Sequence, residues 1–186
     1  MKTILSLLCG LGCWWFDGGM AAMAGDPSFT NLAPVRIGLY DSRAVAYAHF
    51  WSESYQLKLK EQMAAARAAK QAGDTARFKA LGASLRQTQD QLHRQVFSTA
   101  SADDALDALK GQVPEIESQA GVTALVSKWD VQALAQYKPA ETVDVTGQLV
   151  REFKPAEKQL KVIADLQKHK PLSLEKCDEL IRQGKI

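Results

Sequence analysis

The chain has 186 residues, with 23 Lys and Arg against 21 Asp and Glu and a formal net charge of +2. So even a balance argues by itself neither for nor against nucleic acid, and no nucleic-acid partner is expected. His49, His93 and His169 lie far apart, and no HExxH, CxxC or glycine-rich phosphate loop follows residue 24, so the sequence offers no catalytic residue, no metal-ligand set and no cofactor site, and reads as a non-enzyme.

The opening MKTILSLLCGLGCWWF places Lys2 before an apolar run, and Ala22-Met23-Ala24 supplies a small-x-small cleavage site. Residues 1–24 read as a secretory signal cleaved after Ala24. The apolar run ends at Asp17, short of the roughly 20 residues a spanning helix needs. Cys9 and Cys13 leave with the signal, so Cys177 remains as a single cysteine, expected as a shielded or idle thiol, with a mixed or intermolecular disulfide as the alternative. Residues 25–34 form a polar leader.

Val35 to Tyr40 is rich in strand formers and reads as a first strand, followed by a helix N-cap at Ser42. From Arg43 to Ala72 there is neither proline nor glycine, and Tyr47, Trp51, Tyr55, Leu59 and Met63 recur at every fourth position. That predicts one helical arm about 45 Å long. Gly73-Asp74 breaks it, with Asp74 or Thr75 restarting a helix. In the returning arm, Phe78, Leu81, Leu85, Thr88, Leu92, Gln95 and Thr99 alternate steps of three and four, a heptad seam that runs on to Val113. A bend or restart is expected at Ser98 to Ser101, where Ser101 and Asp104 resemble a capping box. The two arms predict an antiparallel hairpin over about residues 42–119.

Beyond Gly121, Val122 to Val126 reads as a second strand and Val131 to Tyr137 as a third. Gly147 to Phe153 follows as a short helix with Leu149, Val150 and Phe153 on one face. Residues 155–186 predict a C-terminal helical extension: one helix opened by Pro155 and stopped by Pro171, then a short one capped by Ser173 that buries Leu174, Cys177 and Ile181. Trp51 and Trp129 are expected to be core or body residues.

Charge is unevenly distributed along the hairpin. Between Lys58 and Arg86 the bases Lys58, Lys60, Arg67, Lys70, Arg77, Lys79 and Arg86 face only Glu61 and Asp74, a local net charge of +5. Between Ser98 and Gln119, Asp103, Asp104, Asp107, Glu115 and Glu117 face only Lys110, a local −4. The three aspartates are read as favourable to a helix N-terminus rather than as metal ligands. The tip, MAAARAAKQAGDTARFKAL, is crowded with alanines, which make helix well but little core. A solvated helical face is the plain reading of such a charge run, and a contact surface for acidic chains or anionic lipid the functional one.

The opening VRIGLYDSRAVAYAH, the hairpin, and the close VTALVSKWDVQALAQYKPAETVDVTGQLVREF, together about residues 35–153, resemble the Skp/OmpH family of periplasmic chaperones. The resemblance implies an α+β, mostly α fold, with a long antiparallel hairpin projecting from a small β-body over residues 35–154. It further implies a trimer with the hairpins around a cavity, and a periplasmic, ATP-independent holdase for unfolded outer-membrane proteins. On that reading the seven bases of the tip contact clients or an anionic lipid surface, and Val35, Ile37, Leu39, Val122, Leu125 and Val131 belong to the oligomer body. From another functional class, the same hairpin would suit a coiled-coil adaptor docking one folded envelope partner. The extension over residues 155–186 runs past the family's usual end.

Overall fold

The computed structural model describes residues 35–186. The signal and leader expectations fall on residues 1–34, outside that range. Val35 enters strand β1 (Arg36–Tyr40), whose β-branched and aromatic side chains suit a pleated, covered surface. Strands β2 (Leu125–Ser127) and β3 (Glu141–Asp144) flank it, both parallel, in the order β2-β1-β3. Gly38 pairs with Leu125 on one side and Val143 on the other. A parallel pair cannot be closed by a tight turn, so helices must make the crossovers. Among the described residues the fold is mostly helical α/β, with a small three-stranded parallel sheet, rather than α+β.

The third expected strand, Val131–Tyr137, is instead helix α6 (Val131–Gln136). Asp130 caps it, its carboxylate accepting from the Ala133 amide at 2.9 Å, and Gln132 to Gln136 are all good helix formers, with only Val131 and Tyr137 favouring strand. The strand that closes the sheet begins at Glu141, where Thr142 and Val143 supply the β-branched residues. The second strand starts three residues later than expected: the Val122 amide still closes the turn after the preceding helix on the Glu117 carbonyl, while the Thr123 amide and hydroxyl both donate to the Arg36 carbonyl of β1.

Helix α1 (Ser42–Trp51) is capped not by Ser42 but by Asp41, whose carboxylate accepts from the Arg43 amide. The arm expected from Arg43 to Ala72 is two helices. Ser52 adopts an extended backbone, ends α1 and caps α2 (Glu53–Gln71), its hydroxyl accepting from the Tyr55 amide at 3.3 Å. A serine hydroxyl offers the backbone an alternative to the helix ladder, a competition that hydrophobic spacing does not register. Gln56 Nε2 donates to the Phe50 carbonyl at 2.7 Å, occupying one acceptor freed by the break. Gly73, with φ of 71°, makes the turn, and Asp74 caps α3 (Thr75–Phe97). α2 and α3 pack on each other, and α3 also packs on α1.

The expected restart after Ser98 occurs. Helix α4 (Asp103–Ala108) follows, although its N-cap is Ala102 and no side chain caps it, because the Ser101 hydroxyl donates to Asp103 instead. The heptad seam therefore does not continue to Val113. Gln95 is buried and spans the break, donating to the Ser101 carbonyl and to Asp104. Helix α5 (Val113–Ala120) ends on left-handed Gly121. Helix α7 (Thr146–Glu152) buries Leu149 and Val150 as expected.

The core gathers Ala44, Val45, Ala48, Ala105, Leu109, Ile116, Val145, Leu149 and Ile163. Ile163 lies on α8 (Glu157–Leu166), so the C-terminal extension contributes to the same core as the sheet. Helix α9 (Leu174–Arg182) is capped by Ser173 and lies on α3, burying Cys177, while Leu174 is exposed, contrary to expectation. The Leu172 amide donates to the Phe97 carbonyl, and Arg94 pairs with Asp178 at 2.6 Å.

At the junction of these parts, Arg43 is 1 % exposed and pairs with Asp41 at 2.8 Å. Its other terminal nitrogen donates to the His169 carbonyl at 2.9 Å, and Trp129 Nε1 donates to Asp41. One buried ion pair thus ties β1 and α1 to the segment after β2 and to the α8–α9 connection.

Candidate functional site: the α2–α3 surface

All seven bases singled out in the sequence, Lys58, Lys60, Arg67, Lys70, Arg77, Lys79 and Arg86, are exposed on α2 and α3. None makes an ion pair among the described residues. Lys70 lies 5.8 Å from the centroid of the Phe78 ring, across the Gly73 turn. Asp74, one of the two acids nearby, is occupied at one oxygen by the Arg77 amide. The surface therefore keeps its positive charge without internal neutralisation.

The alanines divide by position. Ala66 and Ala69 are buried, three residues apart on α2 where it meets α3, whereas Ala64, Ala68, Ala72 and Ala76 are exposed. On α2 the only buried side chains are Ala66 and Ala69, so α2 brings little apolar area to the pair near the turn, where Leu81 of α3 is half-buried. Toward the other end of the pair, Phe50, Tyr55, Leu59 and Met63 face Leu85 and Leu92 across a groove of about 420 Å³. Thr88 also lines it, and its hydroxyl bonds back to the Ser84 carbonyl, so it presents no free donor. Burial and then the Asp104 charge push the Tyr55 hydroxyl above its ordinary pKa, keeping the phenol neutral.

Apolar side chains also stand in solvent on the same helices. Leu57 is 56 % exposed, and Met63 and Phe78 are exposed as well. The fourfold ridge Tyr55-Leu59-Met63 and the seam residues Leu85 and Leu92 were legible in the sequence, but not that they would line an open groove. Leu57 falls off both patterns, and only its place between two ridge positions could have marked it.

The six residues assigned to a body are placed less uniformly. Ile37 and Val122 are buried within the chain, Leu39 and Leu125 half-buried, and Val35 and Val131 exposed, Val131 at 76 % on α6. Trp129 is half-buried at the Asp41–Arg43 pair, and Trp51 packs on Tyr47 with ring centroids 4.1 Å apart. No described helix is long and apolar enough to cross a membrane.

Comparison of the chain with protein-family models, with curated proteins and with solved structures found no match.

Proposed function

We propose that this protein is an ATP-independent holdase that binds unfolded exported proteins, outer-membrane barrels among them, in the periplasm. The observation that carries the reading is the coincidence on α2 and α3 of seven unpaired cations with exposed Leu57, Met63 and Phe78 and an open apolar groove. An unfolded barrel strand alternates apolar and polar residues. A surface offering both kinds of contact can hold many such sequences through individually weak interactions. The exposed charge acts within a Debye length of about 8 Å at physiological salt, which limits capture to near contact.

In this reading α2 and α3 form a long hairpin projecting from the sheet, and three chains assemble with their hairpins around a shared cavity. The argument for assembly is that β2 and β3 are the outer strands of a very small sheet, whose unpaired edges favour covering by another chain. Anionic lipid headgroups could meet the same cations. The test is aggregation of a urea-denatured outer-membrane barrel diluted into buffer without nucleotide, followed by light scattering. A several-fold excess of the folded protein should suppress scattering. Unchanged aggregation would overturn the proposal, and stoichiometric capture of one folded protein in place of unfolded chains would favour the adaptor reading.

A further inference from the structure

A second concavity lies away from the basic helices, at the end of β1. Tyr40 is 4 % exposed, yet its hydroxyl has no hydrogen-bond partner among the described residues. It borders a cavity of about 680 Å³ into which the walls bring Leu106, Leu125, Val131 and Leu174 together with two carboxylates, Asp103 and Asp130. Cavities of this size suit a small ligand or an anchoring side chain. The Tyr40 ring is buried while its hydroxyl, bonded to no described residue, opens to the cavity, where it can accept from a bound group.

The carboxylates are only partly used. Asp130 accepts from the Ala133 amide through one oxygen, and Asp103 accepts from the Ser101 hydroxyl through one oxygen. Neither forms an ion pair among the described residues, and no lysine or arginine lines the cavity. Burial first, then the charges of Asp103 and Asp130, push the Tyr40 hydroxyl up to about 12, so at neutral pH it remains a hydroxyl. Exposed Val131 and Leu174 add apolar surface to the lining.

We propose that this cavity binds an alkyl cation, a guanidinium or ammonium group on an apolar stem, of the kind an arginine or lysine side chain carries. The cation would sit between Asp103 and Asp130 with the Tyr40 hydroxyl oxygen accepting one of its hydrogens, and the stem would lie along Leu125 and Leu106. Long basic side chains bury their methylenes while their charged heads keep polar partners. An anion would meet two negative charges, and a neutral apolar group would leave both carboxylates and the phenol unpartnered. The proposal is independent of the holdase reading, since it uses no residue of α2 or α3.

The probes are an acetylated, amidated Leu-Arg-Leu peptide, the same peptide with citrulline for arginine, and free butylguanidine, titrated calorimetrically into the full chain. The arginine peptide should bind, and citrulline should weaken it at least about tenfold, as expected for losing a charge-assisted contact. Binding of the peptide tighter than butylguanidine would identify a polypeptide side chain as the occupant, and the reverse order a small amine. Y40F, D103N and D130N should each weaken binding about tenfold while leaving the circular dichroism spectrum intact. Asn can still cap α6 in D130N, and D103N touches no cap, so at least one charge variant remains folded. Equal affinity for the arginine and citrulline peptides, no binding of either cation, or unchanged binding in both D103N and D130N would overturn the proposal.

Discussion

Trp129 Nε1 donates to Asp41 Oδ1 at 3.0 Å while the Arg43 guanidinium stands 4.9 Å from the centroid of the Trp129 ring, so the indole serves both members of a buried ion pair at once. Arg43 also binds Asp41 through its Nε and backbone amide. Removing one charge of such a pair strands the other. D41N should therefore destabilise the chain by about 3 kcal/mol or more, read by urea unfolding at pH 7. A change under about 1 kcal/mol would show that the pair is not the junction described.

The same aspartate sets a pH dependence. Burial acts to raise the Asp41 pKa, but hydrogen bonds from Arg43 and Trp129 and the Arg43 charge outweigh it and hold the carboxyl below its ordinary value. A folded-state pKa below the unfolded value of about 3.9 means that the unfolded chain takes up the proton first as pH falls. The stabilisation is then complete above the unfolded pKa and is lost as pH drops through the lower, folded one. Urea midpoints measured from pH 6 to pH 2.5 should fall below pH 4 in the parent, and this component of the fall should be absent in D41N.

Gly38, in the central strand, has no room for a side chain. A Cβ there would lie 2.8 Å from Leu125 Cδ2, 3.1 Å from Val145 Cγ2 and 3.3 Å from Val122 Cγ2. G38A should cost about 1–3 kcal/mol by overpacking, with L125A in the same chain recovering part of the loss. Additive costs in the double variant would contradict the stated contact.

Cys177 is fully buried on α9, its thiol pushed above the ordinary value by burial first and then by Asp178. The thiolate is the reactive form. In a chain carrying C9S and C13S, a thiol reagent should label Cys177 only as urea unfolds the protein, and rapid labelling in native buffer would mean that α9 does not stay on α3.

Substituting the seven tip bases by Gln should weaken binding of an unfolded client and flatten its salt dependence, with little effect on the melt. Gln is close to Lys and Arg in helix propensity, and exposed positions usually shift stability by no more than about 0.5 kcal/mol each. Affinity at low and high salt, parent against variant, is the comparison. An unchanged salt slope would make the positive surface a solvated face only.

The sequence was most legible where one local rule decided the outcome. Gly73-Asp74 announced its turn, Ser173 its cap, and Leu149-Val150 their buried face, and each stands as read. It was least legible where two rules competed. At Ser52 a hydroxyl cap divides a helix that the fourfold ridge would carry through, and after Asp130 a capped helix runs through Gln132 to Gln136, which favour helix, although Val131 and Tyr137 at its ends favour strand. The basic surface could be read because long charged side chains on helices stay in water. The Tyr40 cavity could not, because Tyr40, Asp103 and Asp130 are distant in sequence and meet only when the parallel crossover brings β2 beside β1.

The central claim is that α2 and α3 hold unfolded chains in preference to folded ones. Fluorescence anisotropy of a labelled outer-membrane barrel tests it directly, comparing the urea-diluted unfolded protein with the same barrel already folded in detergent, both without nucleotide. The account predicts saturable binding of the unfolded form and none of the folded form. Absence of binding to the unfolded barrel by a chain of full helicity, or equal binding to both forms, would contradict it.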